Sequence, residues 1–205
     1  MSYILGFFAA DGYMTINKRG GQYWAFDIGD YELIDKIKTV IKSNHKISVR
    51  KRKNGKYTTY RLQIGSNEMC DDLKVLGWDE RKTKRMRLPN IPNKYFSDFV
   101  RGYFDGDGNV WTGDIHKSRK TYSTTIQTVF TSCSKEFLGG MAEKLKNLYI
   151  DRGVLRHGKG EYYRLTYSVI GSLKLYDFMY NKLGTSPLFL KRKKDVFEKY
   201  IKMRL

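Results

Sequence analysis

Cysteine is scarce in this chain: Cys70 and Cys133 are the two present among 205 residues, and they form no CxxC spacing. A disulfide framework and a Cys-based zinc site are therefore excluded, and both residues read as small core fillers. Histidine is nearly as rare, and His45, His116 and His157 stand too far apart to form an HNH-like cluster. No apolar run approaches the roughly 18 residues that span a bilayer. The N-terminus also lacks the charged start and small-residue cleavage site of a signal peptide. The expectation is a soluble intracellular protein of the bacterial cytoplasm or an organelle, not a secreted one. Acidic residues are the remaining shortage, with 21 Asp and Glu against 39 Lys and Arg, a formal net charge of +18. The surplus runs through the whole chain, which points to a polyanionic partner, most naturally nucleic acid. An anionic membrane is disfavoured, since no basic amphipathic helix carries a broad apolar face.

What the chain has instead is a repeat. Ile4-Leu5-Gly6-Phe7-Phe8-Ala9-Ala10-Asp11-Gly12 returns as Val100-Arg101-Gly102-Tyr103-Phe104-Asp105-Gly106-Asp107-Gly108. Each is an apolar helical run with glycine at its third place and Asp-Gly at its end. Gly6 and Gly102 would let two helices pack almost backbone to backbone. Leu5, Phe8, Val100 and Phe104 would supply apolar surface to a shared core. Gly12 and Gly108 suit a sharp exit from helix into strand. Asp11 and Asp107 sit just before those exits. A carboxylate at a helix C-terminus is electrostatically unfavourable unless a cation is near, so the pair suggests a metal site.

The elements around the two motifs also repeat. Tyr13 to Lys18 and Gln22 to Ile28 alternate across Arg19-Gly20-Gly21 as a hairpin. Asp30 then caps a helix with Leu33, Ile34, Ile37, Val40 and Ile41 at helical spacing. His45 to Lys53 and Lys56 to Ile64 flank Asn54-Gly55, a strong hairpin signal, and Ser66 caps a helix that Gly77 stops. Trp78 to Tyr95, with Pro89 and Pro92 and no clear period, reads as a linker. Beyond it the spacing predicts a helix to Phe104, a hairpin over Asn109 to Thr131, and a helix from Ser134 to Tyr149. A hairpin over Gly153 to Ile170, a helix over Ser172 to Leu183 and a terminal helix over 191–203 complete the series. Tyr60-Arg61-Leu62 echoes Tyr163-Arg164-Leu165, and Ile64-Gly65-Ser66 echoes Ile170-Gly171-Ser172. The predicted class is α+β, two pseudo-symmetric αββαββα halves with antiparallel sheets. Its divisions are residues 1–77, a linker at 78–95, and 96–205.

Two motifs in this order, each followed by paired hairpins, resemble the LAGLIDADG homing endonucleases in their single-chain form, over essentially the whole chain. The resemblance implies a saddle of two sheets on double-stranded DNA and a monomeric, site-specific endonuclease making double-strand breaks at a long asymmetric target. Asp11 and Asp107, with the backbone carbonyls of Ala10 and Gly106, would hold divalent ions, most naturally Mg²⁺. By position, Lys82 and Lys191 resemble the basic residues expected near the attacked phosphate, with Lys193 competing for the role of Lys191. Two departures stand out: Ala9 occupies the place of Asp105, and the first motif helix has less chain ahead of it than the second.

Strand alternation sorts the residues expected to face DNA. In the first half these are Thr15, Asn17, Arg19, Arg50, Arg52, Arg61 and Gln63. In the second they are Lys117, Gln127, Arg152, Arg156 and Arg164. The Glu80-Arg81-Lys82 triplet offers only a chance-level restriction-type motif. The rival readings share the fold: a maturase that binds intron RNA, or a DNA-binding regulator without cleavage.

Overall fold

The computed structural model of the chain describes residues 1–51, 57–116, 118, 121, 123–181 and 188–204. The Asn54-Gly55 turn, Arg52, Lys117 and Leu183 lie outside the described residues. The element order among the described residues is α1 (Ser2–Asp11), β1 (Gly12–Ile16), β2 (Gln22–Ile28), α2 (Tyr31–Val40), β3 (Ile47–Lys51), β4 (Thr58–Gly65) and α3 (Asn67–Val75). It continues with α4 (Lys82–Arg85), α5 (Asn93–Asp107), β5 (Gly108–Ile115), β6 (Ser123–Ser132), α6 (Lys135–Asn147), β7 (Val154–His157), β8 (Tyr163–Tyr167), α7 (Val169–Tyr176) and α8 (Lys191–Lys202). The expected α+β class is what the chain adopts, with two four-stranded antiparallel sheets ordered β1-β2-β4-β3 and β5-β6-β8-β7.

The duplication extends to register. Gly12 pairs with Phe26 and Phe26 with Leu62 in the first sheet; Gly108 pairs with Phe130 and Phe130 with Leu165 in the second. Because cross-strand partners share a face, the register fixes which residues go inward. In the first sheet Met14, Trp24, Phe26, Leu62 and Ile64 are buried, and in the second Val110, Ile126, Phe130, Leu165 and Tyr167. The opposite faces carry Tyr13, Thr15, Arg61 and Gln63 in one case and Trp111, Gln127 and Arg164 in the other.

The chain forms two compact units, one built mainly from Met1–Lys82 and Pro89–Gly106, the other from Thr83–Leu88 and most of the chain after Asp107. These units cut across the sequence repeat, because α5, which opens the second copy, packs in the first unit against α1. A Cβ on Gly6 would stand 2.0 Å from the Phe99 carbonyl oxygen, and one on Gly102 2.0 Å from that of Tyr3. No side chain larger than hydrogen fits at either place. Phe8, Val100 and Phe104 are buried as expected, whereas Leu5 is only partly covered.

Capping explains several boundaries. Ser66 accepts a hydrogen bond from the Met69 amide and Ser134 from the Phe137 amide, satisfying helix-start donors. Gly77, at φ +81°, ends α3 in the left-handed region.

The structure adds to one expectation and corrects two. The segment 78–95, expected as a linker, buries Trp78, Met86 and Ile91 and contains the short helix α4. The α4 turn starts where Asp79 Oδ1 accepts from the Arg81 amide at 2.7 Å, a cap that hydrophobic periodicity does not reveal. The echo of Ile64-Gly65-Ser66 in Ile170-Gly171-Ser172 is not structural. Ser66 caps α3, but Ser172 lies inside α7, its hydroxyl donating to the Tyr167 carbonyl. Finally, α7 starts at Val169 and passes into a π-helical turn at Asp177–Asn181 instead of continuing as one α-helix.

Candidate active site and nucleic-acid face

Asp11 is the last residue of α1 and Asp107 the last of α5, and both carboxylates are solvent-exposed. Each is followed by a buried glycine that opens the first strand of a sheet. Gly12 has ordinary extended dihedrals, φ −79° and ψ 152°, so positive φ is not why it is glycine. Its missing side chain matters for space: a Cβ there would lie 2.1 Å from the Phe8 ring.

Between the packed helices, Gly106 makes room for Asp11. A Cβ at Gly106 would meet the Ala10 Cβ at 2.3 Å and Asp11 Oδ2 at 3.0 Å. The bare backbone of the residue before Asp107 is thus the surface on which the Asp11 carboxylate lies. At a helix C-terminus the carbonyl dipoles repel a carboxylate. An exposed acid held there next to backbone oxygens fits a hard divalent cation, whose remaining ligands are waters and phosphate oxygens. Among the described residues no group of three or more His, Cys, Asp or Glu side chains could hold a metal ion. The donor set is the sparse one that Mg²⁺ uses on phosphate substrates, so the residues fit that ion.

Two lysines reach the motif backbone. Lys82 is buried, with Nζ donating to the Ala9 carbonyl at 2.8 Å and lying 5.5 Å from the centroid of the Phe8 ring. Lys193 is buried, with Nζ donating to the Gly108 carbonyl at 2.6 Å. Desolvating an ammonium is costly, and the negative end of a helix dipole together with an aromatic face offsets part of that cost for Lys82. Lys191 is not brought to the motif. Its side chain is 81% exposed and pairs with Asp195 at 2.8 Å, which holds its ammonium pKa above the ordinary lysine value. Residues two apart on a helix point roughly 200° away from each other, so Lys193 faces inward on α8 only because Lys191 faces out. Within the Lys191-Arg192-Lys193-Lys194 run, residue type alone could not tell them apart.

The expected DNA-facing residues divide similarly. Thr15, Arg50, Arg61 and Gln63 share the open face of the first sheet. There Arg50 pairs with Asp27 at 3.3 Å, and the Arg61 guanidinium lies 5.5 Å from the Tyr13 ring centroid. Gln127, Arg156 and Arg164 share the open face of the second. Three others are not strand residues. Asn17 holds the β1–β2 turn, its Oδ1 accepting from the amides of Arg19 and Gly21 at 2.9 Å each. Arg19 is an exposed residue of that turn. Arg152 precedes β7 with φ +65°, near Asp151. Strand alternation therefore does not assign which way these three face.

A family model for a LAGLIDADG-like domain matches residues 1–74 and 97–181, and the chain belongs to that family. Solved structures of similar fold include the LAGLIDADG meganuclease I-AabMI bound to uncleaved DNA, with a TM-score of 0.63 and 15% identity, covering 98% of this chain and 91% of that one. Homing endonuclease I-WcaI bound to its DNA recognition sequence gives 0.65 and 18%, covering 95% and 83%. I-SmaMI, bound to an uncleaved target in the presence of calcium ions, gives 0.63 and 14%, covering 98% and 89%. At these identities the likeness is one of fold. Among curated proteins, a probable translation initiation factor IF-2 from Thermococcus kodakarensis is 31% identical over 186 residues, 86% of this chain but 14% of the factor. Its counterpart from Methanocaldococcus jannaschii is 27% identical over 162 residues, 73% of this chain and 13% of the factor. The chain thus spans about a seventh of the length of these relatives. No described helix is long and apolar enough to cross a membrane.

Proposed function

We propose that this chain is a site-specific DNA endonuclease that makes double-strand breaks at a long asymmetric target by Mg²⁺-dependent phosphodiester hydrolysis. The observation that carries the reading is the conjunction of two intact Asp-Gly helix ends with a duplicated strand register on a chain of net charge +18. Asp11 and Asp107, with the carbonyls of Ala10 and Gly106, would hold the ions. A bound divalent ion supplies a nucleophilic water at neutral pH and neutralises charge developing on the phosphate. The chain's own part is orientation. Each acid ends a helix whose glycine-mediated packing holds it in place, and one acid serves each strand.

Lys82 and Lys193 would hold positive charge beside the motif backbone, where charge accumulates on the attacked phosphate. Lys191 is not assigned that role. The open sheet faces would lie on duplex DNA, Arg61, Arg156 and Arg164 among the contacts, in a monomer whose two halves each take part of the target. The repeat boundaries 1–77, 78–95 and 96–205 describe those halves. What the names of the initiation-factor relatives imply is not carried over, since this chain matches 14% and 13% of their lengths.

Incubation with Mg²⁺ and a randomised duplex library tests the reading, and the expected result is a selectively bound sequence cut on both strands. A duplex bound but never cut would make the protein a non-cleaving DNA-binding relative. Tight binding of intron RNA with no duplex bound would make it a maturase.

A further inference from the structure

The open faces of the two sheets differ in chemistry although their frameworks share a register. On the first, the central pairs carry Tyr13, Thr15, Tyr23, Ala25, Asp27, Arg61 and Gln63, with no aliphatic side chain larger than alanine. On the second, the same side presents Asn109, Trp111 and Ile115 from β5, Thr125, Gln127 and Val129 from β6, Thr166 from β8 and Val154 from β7. Trp111 is 49% exposed and Val154 44%, so they do not belong to the core. Trp111 folds along its own strand over Gly113, where a Cβ would stand 2.5 Å from the indole ring. The glycine therefore keeps the indole down on the sheet, as a flat apolar ledge four residues after Asp107. Strand propensity alone does not explain this surface, since the first sheet builds the same strands with polar side chains.

Among the described strand residues, the arginines on this face lie on the neighbouring strands β7 and β8. Arg156 of β7 lies directly across from Arg164 of β8, and both are exposed. Like charges directly opposite each other are destabilising, and the Arg164 guanidinium leans instead over the Tyr162 ring at 5.2 Å. Such a pair is relieved by an anion between the two guanidiniums, and a backbone phosphate is the anion that duplex DNA offers. The apolar side chains of β5, β6 and β7 then face the base edges. In the major groove, the apolar group a base presents is the thymine 5-methyl.

We infer that the second sheet recognises its half of the target through thymine 5-methyl groups packed on Trp111, Val129, Val154 and the neighbouring threonines, with Arg156 and Arg164 holding a phosphate at the edge. The first sheet reads its half through hydrogen bonds. This inference rests on the DNA-binding reading above and specifies the substrate that site takes.

The experiment uses duplexes selected by the full chain, resynthesised with uracil replacing each thymine in turn, which removes one methyl and leaves base pairing intact. Binding is measured for the wild type, Trp111→Ser and Val154→Ser, with thermal melts confirming that these surface variants stay folded. The expected result is that uracil weakens wild-type binding about fourfold at thymines in one half only, the value for burying one methyl-sized group. The same substitution should cost under about 1.5-fold in at least one of the two variants. Gln63→Ala, on the other sheet, should leave the thymine effect intact. Uracil sensitivity that is absent, equal in both halves, or unchanged in both surface variants overturns the inference while leaving the endonuclease reading standing. If no duplex is selected at all, both fail together.

Discussion

Tyr3 and Asp105, 102 residues apart in sequence, are joined in the interior by a hydrogen bond from the phenol to Oδ2 at 2.7 Å. The bond ties the start of α1 to the last turn of α5 beside the place where Gly102 meets the Tyr3 carbonyl. Charge-assisted hydrogen bonds contribute about 1.5–3 kcal/mol, and losing one partner leaves a buried carboxylate short of a donor. Tyr3→Phe is therefore expected to lower unfolding free energy by about 1–3 kcal/mol. Urea denaturation measures it, and an unchanged midpoint would show that the bond is dispensable.

The helix pair itself gives a sharper contrast. Gly6→Ala or Gly102→Ala forces a Cβ into a backbone carbonyl at 2.0 Å, which no side-chain rotation relieves. Each should cost more than about 3 kcal/mol or prevent folding, as overpacking against backbone does. Gly139→Ala in α6 meets nothing within 4 Å and should keep or raise the melting temperature, since alanine is the better helix former. Equal melting temperatures for all three variants would contradict the close packing.

Replacing the lysines one at a time separates the inward residue from the outward one. Lys193→Met should lower the single-turnover cleavage rate by about 10²-fold, the usual cost of removing one donor that stabilises developing charge. Lys82→Met should act in the same direction. Lys191→Ala, which loses only a surface pair with Asp195, should cleave within about twofold of wild type, because such pairs contribute little. A slow Lys191→Ala beside a normal Lys193→Met would reverse the assignment.

Tyr167 provides the pH-dependent case. Burial raises its phenol pKa well above the ordinary 10.0, aided by the Asp151 charge, and its hydroxyl has no hydrogen-bond partner among the described residues. The unfolded chain releases this proton near pH 10 while the folded chain retains it. Its contribution is therefore complete below pH 10 and falls as pH rises, by up to about 1.4 kcal/mol per pH unit. Tyr167→Phe should match or exceed wild-type stability at pH 7 and lose less between pH 10 and 11.5 in urea titrations. Parallel curves for the two proteins would contradict the burial of a neutral phenol.

How much of this was legible in the sequence varies with the distance over which each feature is determined. The Asp-Gly helix ends, the Ser66 cap, the helix start at Ser134 and the alternation of the strands that follow the motifs are legible in local pattern, whereas the pairing register comes from the structure. Lys193 was named only as an alternative to Lys191, because a run of like residues hides the helical phase until the start of α8 is known. Asn17 carried the residue type of a DNA contact and the position of a turn, and its hydrogen bonds to Arg19 and Gly21 show the turn. The Tyr3–Asp105 bond and the burial of Trp78 depend on partners distant in sequence, which no local period encodes. The replacement of Asp105 by Ala9 in the first motif pointed to an asymmetry, but not to the tyrosine that completes it.

The central claim is that Asp107 works on the phosphodiester and does not merely end a helix. Its test is to measure, on one selected target with Mg²⁺, both the equilibrium binding and the cleavage of Asp107→Asn. The substitution keeps the size of the side chain and removes the charge at an exposed position, so folding and binding should stay within about threefold of wild type. The account predicts that this variant binds the target and cuts neither strand at a measurable rate; cleavage at the wild-type rate would contradict it.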